Sequence, residues 1–243
     1  MLGSLKDTIN NDHQEITDFF DSQPVIYELI DAMIISARGS IMTAMENLPE
    51  DECSTFRYML WRTMYDYVET SLLLLIKTRI DEGYALLRMA AELTRDIARM
   101  AETQKNFEMW QNRASLHNGE AYRNIFRFNK NDAHEKHVFS LYNLASVYGV
   151  HSHQTRDAHL SHLGVVQGKY IKLKVSKRKM LDALTLWLFS FFPLHIVAAS
   201  TFAELFSTIS PNPLKHLLEM ELVVIPVAED IKKNIKQNYP KTT

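Results

Sequence analysis

The sequence of 243 residues has little cysteine, glycine and proline. Its one cysteine, Cys53, cannot form an internal disulfide or a cysteine-based zinc site, which fits a reducing compartment. Seven glycines and seven prolines leave few breaks, which favours long helices over many short strands. No Gly-rich phosphate loop, nucleophile elbow, iron-binding E-x-x-H pair or Rossmann pattern is present, which argues against the enzyme classes that those motifs mark.

The chain also lacks an excess of positive charge. Its formal net charge of -2 argues against a broad surface that coats nucleic acid, although a local basic site stays open. The first 15 residues are too polar for a signal peptide, so we expect the protein to be cytoplasmic.

Apolar residues recur at spacings of three and four through most of the chain, which is the pattern of amphipathic helices. We therefore predict an all-α, single-domain helical bundle of six to eight helices spanning 1–243. The predicted helices include 24–47, 81–104, 132–150 and 213–238, the last kinked or interrupted at Pro226. Lysines alternate with apolar residues near 164–176, which predicts a short irregular or strand-like insertion there.

Residues 183–203 contain no Asp, Glu, Lys or Arg. These 21 residues are long enough to span a bilayer. Internal polar residues such as Thr185 and His195, acidic residues at both ends and the lack of a second such segment favour a buried central helix instead. We predict no membrane partner.

The predicted helix over 81–104 carries one narrow polar stripe between two apolar stripes. Spacings of four, three and four place its members on one side, and Glu92 can pair with an arginine on either side. A solvated face with ion pairs is the favoured interpretation, and a polar line inside the bundle is the alternative. The stripe consists of Arg88, Glu92, Arg95 and Arg99.

Between residues 105 and 133 the helical pattern breaks into shorter pieces in which aromatic and basic residues alternate. Such a mixture can stack bases and hold phosphates, or the aromatic rings can fill gaps between helices, which is the favoured interpretation. The aromatic residues are Phe107, Trp110, Tyr122, Phe126 and Phe128, and the basic ones are Arg123, Arg127 and Lys130.

Residues 142–162 contain four of the ten histidines, which makes metal binding one hypothesis. Two ligands from a turn and two from a helix could hold a transition metal tetrahedrally, and His159 and His162 share a helix face. No familiar metalloenzyme motif is present, so we predict no cofactor and keep a transition metal as the alternative. The candidate ligands are His151, His153, His159 and His162.

The same region contains Arg156 and His162, whose separation resembles the R-x(4 to 6)-H motif of the higher eukaryote and prokaryote nucleotide-binding (HEPN) superfamily. These proteins are all-helical, and many are metal-independent RNases. The resemblance implies an arginine that steadies phosphate and a histidine that acts as acid or base.

A second resemblance to bacterial HEPN-like families covers about 60–205. Leu86-Leu87-Arg88 with Glu92 is similar to their LLRxxxE helix, and Tyr142, Ser146 and His151 are similar to their Tyr-x3-Ser-x4-His pattern. Serine stands where an active nuclease has arginine, so this resemblance implies the fold more than catalysis. It also implies a homodimer.

Three functional hypotheses follow from these patterns. The first is a noncatalytic HEPN-like protein of prokaryotic stress or defence that binds RNA or a partner protein. The second is an endoribonuclease that uses Arg156 with His162, or Arg88 with His151. The third is a metal-binding protein that uses the histidine cluster.

Overall fold

The computed structural model describes residues 5–77, 79–114, 119–149, 163–166, 169–172 and 177–238. Within these residues it contains ten helices and one hairpin, which confirms the all-α prediction. The elements are α1 (Leu5–Ser22), α2 (Pro24–Glu46), α3 (Glu52–Ile76), α4 (Ile80–Glu102), α5 (Gln104–Gln111), α6 (Gly119–Ile125), α7 (Ala133–Gly149), β1 (Leu163–Val166), β2 (Lys169–Lys172), α8 (Lys177–Ser200), α9 (Ala203–Ser207) and α10 (Pro213–Asn238).

The predicted number of six to eight helices corresponds to the long ones. Seven described helices have 17 to 26 residues, and the short helices α5, α6 and α9 have 8, 7 and 5. Each short helix lies in a connection between long helices. The strands β1 and β2 pair antiparallel with Leu163 opposite Lys172, in agreement with the strand-like insertion predicted near 164–176.

Capping residues explain where several helices begin. Pro24 occupies the first turn of α2, where its missing N–H has no intrahelical partner to lose. The Asp51 carboxylate accepts a hydrogen bond from the Ser54 N–H (2.7 Å) at the start of α3. Asp132 accepts one from the Glu135 N–H (2.8 Å) at the start of α7, and Asn212 one from the Lys215 N–H (3.0 Å) at the start of α10.

Helix α8 lies at the centre of the main core and contacts α2, α3, α4, α7 and α10. Among the described residues, the segment 178–200 is the one helix long and apolar enough to cross a membrane, yet 83% of its apolar window is buried inside the protein. The prediction of a buried central helix is therefore confirmed.

The core contains a polar pair between α3 and α8. The Trp61 Nε1–H donates a hydrogen bond to His195 Nδ1 (3.1 Å), and the Tyr65 and Phe191 rings lie against the imidazole. Burial lowers the pKa of His195 to about 3, so the ring is neutral at physiological pH. His195 Nε2 has no hydrogen-bond partner among the described residues.

One alternative of the prediction for α10 needs correction. The helix runs from Pro213 to Asn238 without a break, so it is not interrupted at Pro226, which lies on its exposed side. In α7 the buried stripe consists of Val138, Leu141 and Ala145, and Leu144 beside that stripe is 38% exposed.

Candidate functional site

The polar stripe of α4, here called the arginine seam, consists of Arg88, Glu92, Arg95 and Arg99. The side chains of Arg95 and Arg99 are only 17% and 11% exposed, whereas those of Arg88 and Glu92 are 25% and 36% exposed. The favoured prediction of a solvated face is therefore wrong for Arg95 and Arg99. For these two the alternative of a polar line inside the bundle is confirmed, because α5, α6 and α7 pack over this side of α4. Arg88 and Glu92 stay partly exposed and form the predicted ion pair.

Arg88 lies at the more open end of the arginine seam. Its Nη2 pairs with Glu92 Oε1 (3.1 Å), and the guanidinium lies 5.4 Å from the centre of the Tyr142 ring on α7. Its Nε is buried and has no partner among the described residues. The structure thus brings together Arg88, Glu92 and Tyr142, three residues of the HEPN-like resemblance, and Ser146 follows one helical turn later.

Asp96 is the centre of the buried half of the seam. Its Oδ1 accepts hydrogen bonds from Arg95 Nε (3.0 Å) and Nη2 (2.7 Å). Its Oδ2 accepts them from Trp110 Nε1 (3.1 Å) and the Tyr122 hydroxyl (2.8 Å). One carboxylate therefore connects α4 to both α5 and α6.

Two pKa shifts reflect this arrangement. Burial would lower the pKa of Arg95, but the charge and hydrogen bonds of Asp96 outweigh it and raise that pKa. Burial, followed by the negative charge of Asp96, raises the pKa of the Tyr122 hydroxyl. Arg95 thus stays charged and Tyr122 stays neutral, so neither group can move a proton near pH 7.

Arg99 joins α4 to the beginning of α7. Its guanidinium pairs with Glu135 and Glu102, and Glu135 also accepts a hydrogen bond from the Asn129 N–H (2.7 Å). Burial raises the pKa of Glu135, while the Asn129 hydrogen bond and the charge of Arg99 act in the opposite direction. The ion pairs of Arg99 therefore stabilise the connection between α6 and α7.

Asp96 and Glu135 are central to this network, but no pattern in the sequence distinguishes them. In the sequence, a carboxylate among arginines indicates one more surface ion pair, because the sequence does not show which side of α4 is covered by α5, α6 and α7. Trp110 and Tyr122 offered a signal, since buried rings with polar atoms need hydrogen-bond partners. The prediction that the aromatic residues fill gaps is confirmed, because Met100, Phe107, Trp110 and Phe126 form a second, smaller core.

Two open cavities lie where α4 and α8 end, and both are lined by Ala101, Ser200 and Thr201. The smaller, about 280 Å³, is also lined by Arg99 and His134, and the larger, about 640 Å³, by Arg57. Arg57 donates to the Thr201 carbonyl (2.6 Å) and the Ser54 hydroxyl (2.7 Å). The guanidinium groups in both cavities thus bind the protein itself.

A different set of cations faces solvent at α6 and the beginning of α7. We call it the basic edge. All four side chains are exposed, and none forms an ion pair with the described part of the chain. Its members are Arg123, Arg127, Lys130 and Lys136.

Local contacts position part of the basic edge without neutralising it. Arg127 Nη2 donates to the Asn124 side-chain oxygen (2.6 Å), and Lys130 Nζ lies 4.5 Å from the centre of the Phe139 ring. Two exposed carboxylates lie in the same segment, those of Glu120 and Asp132, and Asp132 caps α7. The edge therefore keeps an excess of positive charge.

The histidine-rich region 150–162 lies outside the described residues. The pairs Arg156–His162 and Arg88–His151 therefore stay predictions, as does the metal cluster of His151, His153, His159 and His162. In the parts of the chain that the structure describes, no three potential metal ligands come together. The described chain does bring α4 against α7, so Arg88 faces the helix that leads to residue 151.

No protein-family model, curated protein or solved structure matches this chain.

Proposed function

We propose that this protein binds RNA without cleaving it and that the basic edge makes the contacts with phosphate. The edge supplies four exposed cations within 14 residues, from Arg123 to Lys136. Its cations have no carboxylate partner among the described residues, in contrast to the arginines of the seam. A cation without an internal partner is free to replace the counterions of a phosphate backbone.

The surroundings of the edge favour contact with phosphate over contact with bases. The nearby rings that could stack on bases are turned inward: Phe126 is buried, and Tyr122 stacks on it with 4.4 Å between ring centres. Phe128 packs between Phe139 and Tyr142. We therefore expect binding that depends strongly on salt and weakly on sequence, because phosphate contacts carry no sequence information.

The resemblance to HEPN-like proteins adds a setting to this proposal, namely prokaryotic stress or defence. It also supports a noncatalytic role, since Ser146 stands where active members have arginine. In this chain Ser146 donates to the Tyr142 carbonyl (2.7 Å), one turn earlier in α7. That is a structural contact within the helix.

The test is a binding assay with single-stranded RNA, read as fluorescence anisotropy of a labelled oligonucleotide. Replacing Arg123, Arg127, Lys130 and Lys136 together by Gln removes the edge, and we expect the affinity to fall by at least about tenfold. The matched control replaces four exposed cations elsewhere by Gln: Arg62, Arg79, Lys179 and Lys232. Equal losses of RNA affinity for the two variants would show that binding depends on net charge alone, which would contradict the proposal.

Endoribonuclease activity is the second candidate, because Arg88 contacts α7 and that helix ends two residues before His151. The same labelled RNA, incubated with wild-type protein and analysed for shortened products, tests it. The nuclease hypothesis predicts cleavage that His151→Ala or His162→Ala abolishes. The noncatalytic proposal predicts intact RNA in every sample.

A further inference from the structure

Helix α10 carries large apolar residues on the side that faces away from the protein. Leu222 is 72% exposed and Val223 61%, whereas Leu218 and Ile225 are 36% and 37% exposed. The opposite side already packs into the core through Leu217, Val224, Ala228 and Ile235. Leu222 and Val223 therefore leave most of their surface outside the main core, and their exposure favours association.

The order of residues along this outer face is symmetric about Leu222. Leu218 and Pro226 lie four residues before and after it, and Lys215 and Glu229 lie seven residues before and after it. At 100° per residue all five lie within about 40° of one line along the helix. We call this line the α10 stripe, and each of its residues is exposed.

We propose that a second copy of this chain occupies the α10 stripe in an antiparallel, two-fold symmetric arrangement. In this arrangement Leu222 meets Leu222 of the partner subunit, and Leu218 meets Pro226 of the partner subunit. Lys215 then lies opposite Glu229 of the partner subunit, and symmetry repeats this pair at the other end. A parallel arrangement would instead bring lysine to lysine and glutamate to glutamate.

The charges of the stripe are available for such a contact. Glu229 has no ion-pair partner among the described residues. Lys215 contacts Glu219 at 3.7 Å, but the two side chains are 75% and 60% exposed, so this pair holds the lysine weakly. Lys215 can therefore contact a partner carboxylate by a change of rotamer.

The size of the stripe sets the expected strength. From Lys215 to Glu229 the helix rises about 21 Å, so the contact is of the small class that forms weak, concentration-dependent dimers. An exposed ion pair changes an equilibrium constant by up to about fivefold, and two symmetric pairs by up to about 25-fold. A charged residue in place of the central Leu222 is expected to weaken association by more than about 25-fold, because it buries two like charges against each other.

Sedimentation velocity of the full chain over about a hundredfold range of concentration tests the proposal. We expect wild-type protein to shift from monomer to dimer with rising concentration. Leu222→Asp should remain monomeric, and Lys215→Glu or Glu229→Lys should each weaken the dimer. Because the proposed pair is reciprocal, the double variant Lys215→Glu/Glu229→Lys should recover association to within about twofold to threefold of wild type.

The matched control is Met59→Asp, which places the same charge at a 53% exposed position on α3 and should leave the dimer unchanged. Thermal unfolding shows whether each variant is folded. If Leu222→Asp is not folded, the charge-reversed variants still decide the test. A wild-type monomer at every concentration overturns the proposal. A double variant as weak as either single variant overturns the antiparallel register.

Discussion

The arginine seam and the basic edge use the same kind of residue in opposite ways. In the seam Arg95 and Arg99 are enclosed by α5 to α7 and hydrogen-bond to carboxylates of their own chain. At the edge Arg123 and Arg127 are exposed, and Arg127 donates hydrogen bonds to two neutral groups nearby, the Arg123 carbonyl and the Asn124 side-chain oxygen. What distinguishes a cation that stabilises the fold from one that can bind a ligand is therefore its partner, and not its charge.

The two regions are connected, so one depends on the other. Tyr122, which bonds to Asp96 in the seam, directly precedes Arg123 of the edge. Glu135, which pairs with Arg99, directly precedes Lys136. Its carboxylate also accepts a hydrogen bond from the Asn129 N–H, which lies in the connection between α6 and α7. The seam thus holds the backbone on which the edge cations are displayed.

The largest effect is expected from breaking the seam at Asp96. Asp96→Ala leaves a buried Arg95 charge, the Trp110 N–H and the Tyr122 hydroxyl without their common acceptor. We expect the free energy of unfolding to fall by about 3–5 kcal/mol, measured by urea denaturation. The control Asp66→Ala removes an exposed partner of Arg62 and should cost less than about 1 kcal/mol. Equal costs for the two variants would contradict an enclosed seam.

A smaller effect is expected at His195, which is more deeply buried than the seam and has no carboxylate partner. Its pKa is about 3 in the folded protein, against about 6.5 in the unfolded chain. As pH falls from about 6.5 towards 3, the unfolded chain takes up a proton that the folded protein excludes. Between about pH 6.5 and 4.5 this residue should therefore lower the free energy of unfolding by about 2 kcal/mol.

The variant His195→Gln removes this titration while its side-chain oxygen can still accept from Trp61. We expect the stability difference between wild type and variant to shift in favour of the variant as pH falls, in urea titrations between about pH 6.5 and 4.5. Parallel pH profiles for the two proteins would show that His195 is not excluded from solvent.

The smallest effect is expected at His134, near the end of the seam, where its Nε2 lies 3.0 Å from Glu221 Oε2 on α10. The hydrogen bond to Glu221 raises the pKa of His134, opposed by burial and helped by the charges of Glu221 and Asp132. A raised pKa means that this contribution is complete below about pH 6.5 and is lost as pH rises through the folded value. His134→Gln should therefore cost about 0.5–1 kcal/mol near pH 6 and less near pH 9, as urea denaturation can measure. A cost that grows with pH would contradict this ion pair.

Much of the fold follows from local sequence patterns. Pro24 and the Leu48-Pro49 break set the bounds of α2, and the uncharged segment 183–203 identifies the central helix because only a core or a membrane accepts it. The burial of the arginine seam does not follow from the sequence. It depends on the short helices α5 and α6, whose apolar residues show only weak periodicity. Asp96 shows the difficulty, since two of its hydrogen bonds come from Trp110 on α5 and Tyr122 on α6, which lie 14 and 26 residues further along the chain.

The candidate site, like the fold, can be predicted only in part from the sequence. The sequence identified Arg123, Arg127 and Lys130 as a basic group among aromatic residues, but it did not tell whether the rings face outward. The sequence does not connect Lys136 with this group, because Lys136 belongs to the next helix and joins the group through the turn before α7. The resemblance points to Arg88 and Glu92, and the structure adds their ion pair and the contact of Arg88 with the Tyr142 ring.

The salt dependence of RNA binding tests the central claim most directly. If the four cations of the basic edge each displace a counterion from single-stranded RNA, the logarithm of the association constant falls against the logarithm of salt concentration with a slope of about -2.8. We predict this slope for wild-type protein and for the control variant that keeps the edge, and a slope near zero for the variant that lacks it. An unchanged slope without the edge would show that RNA is held elsewhere and would contradict the account.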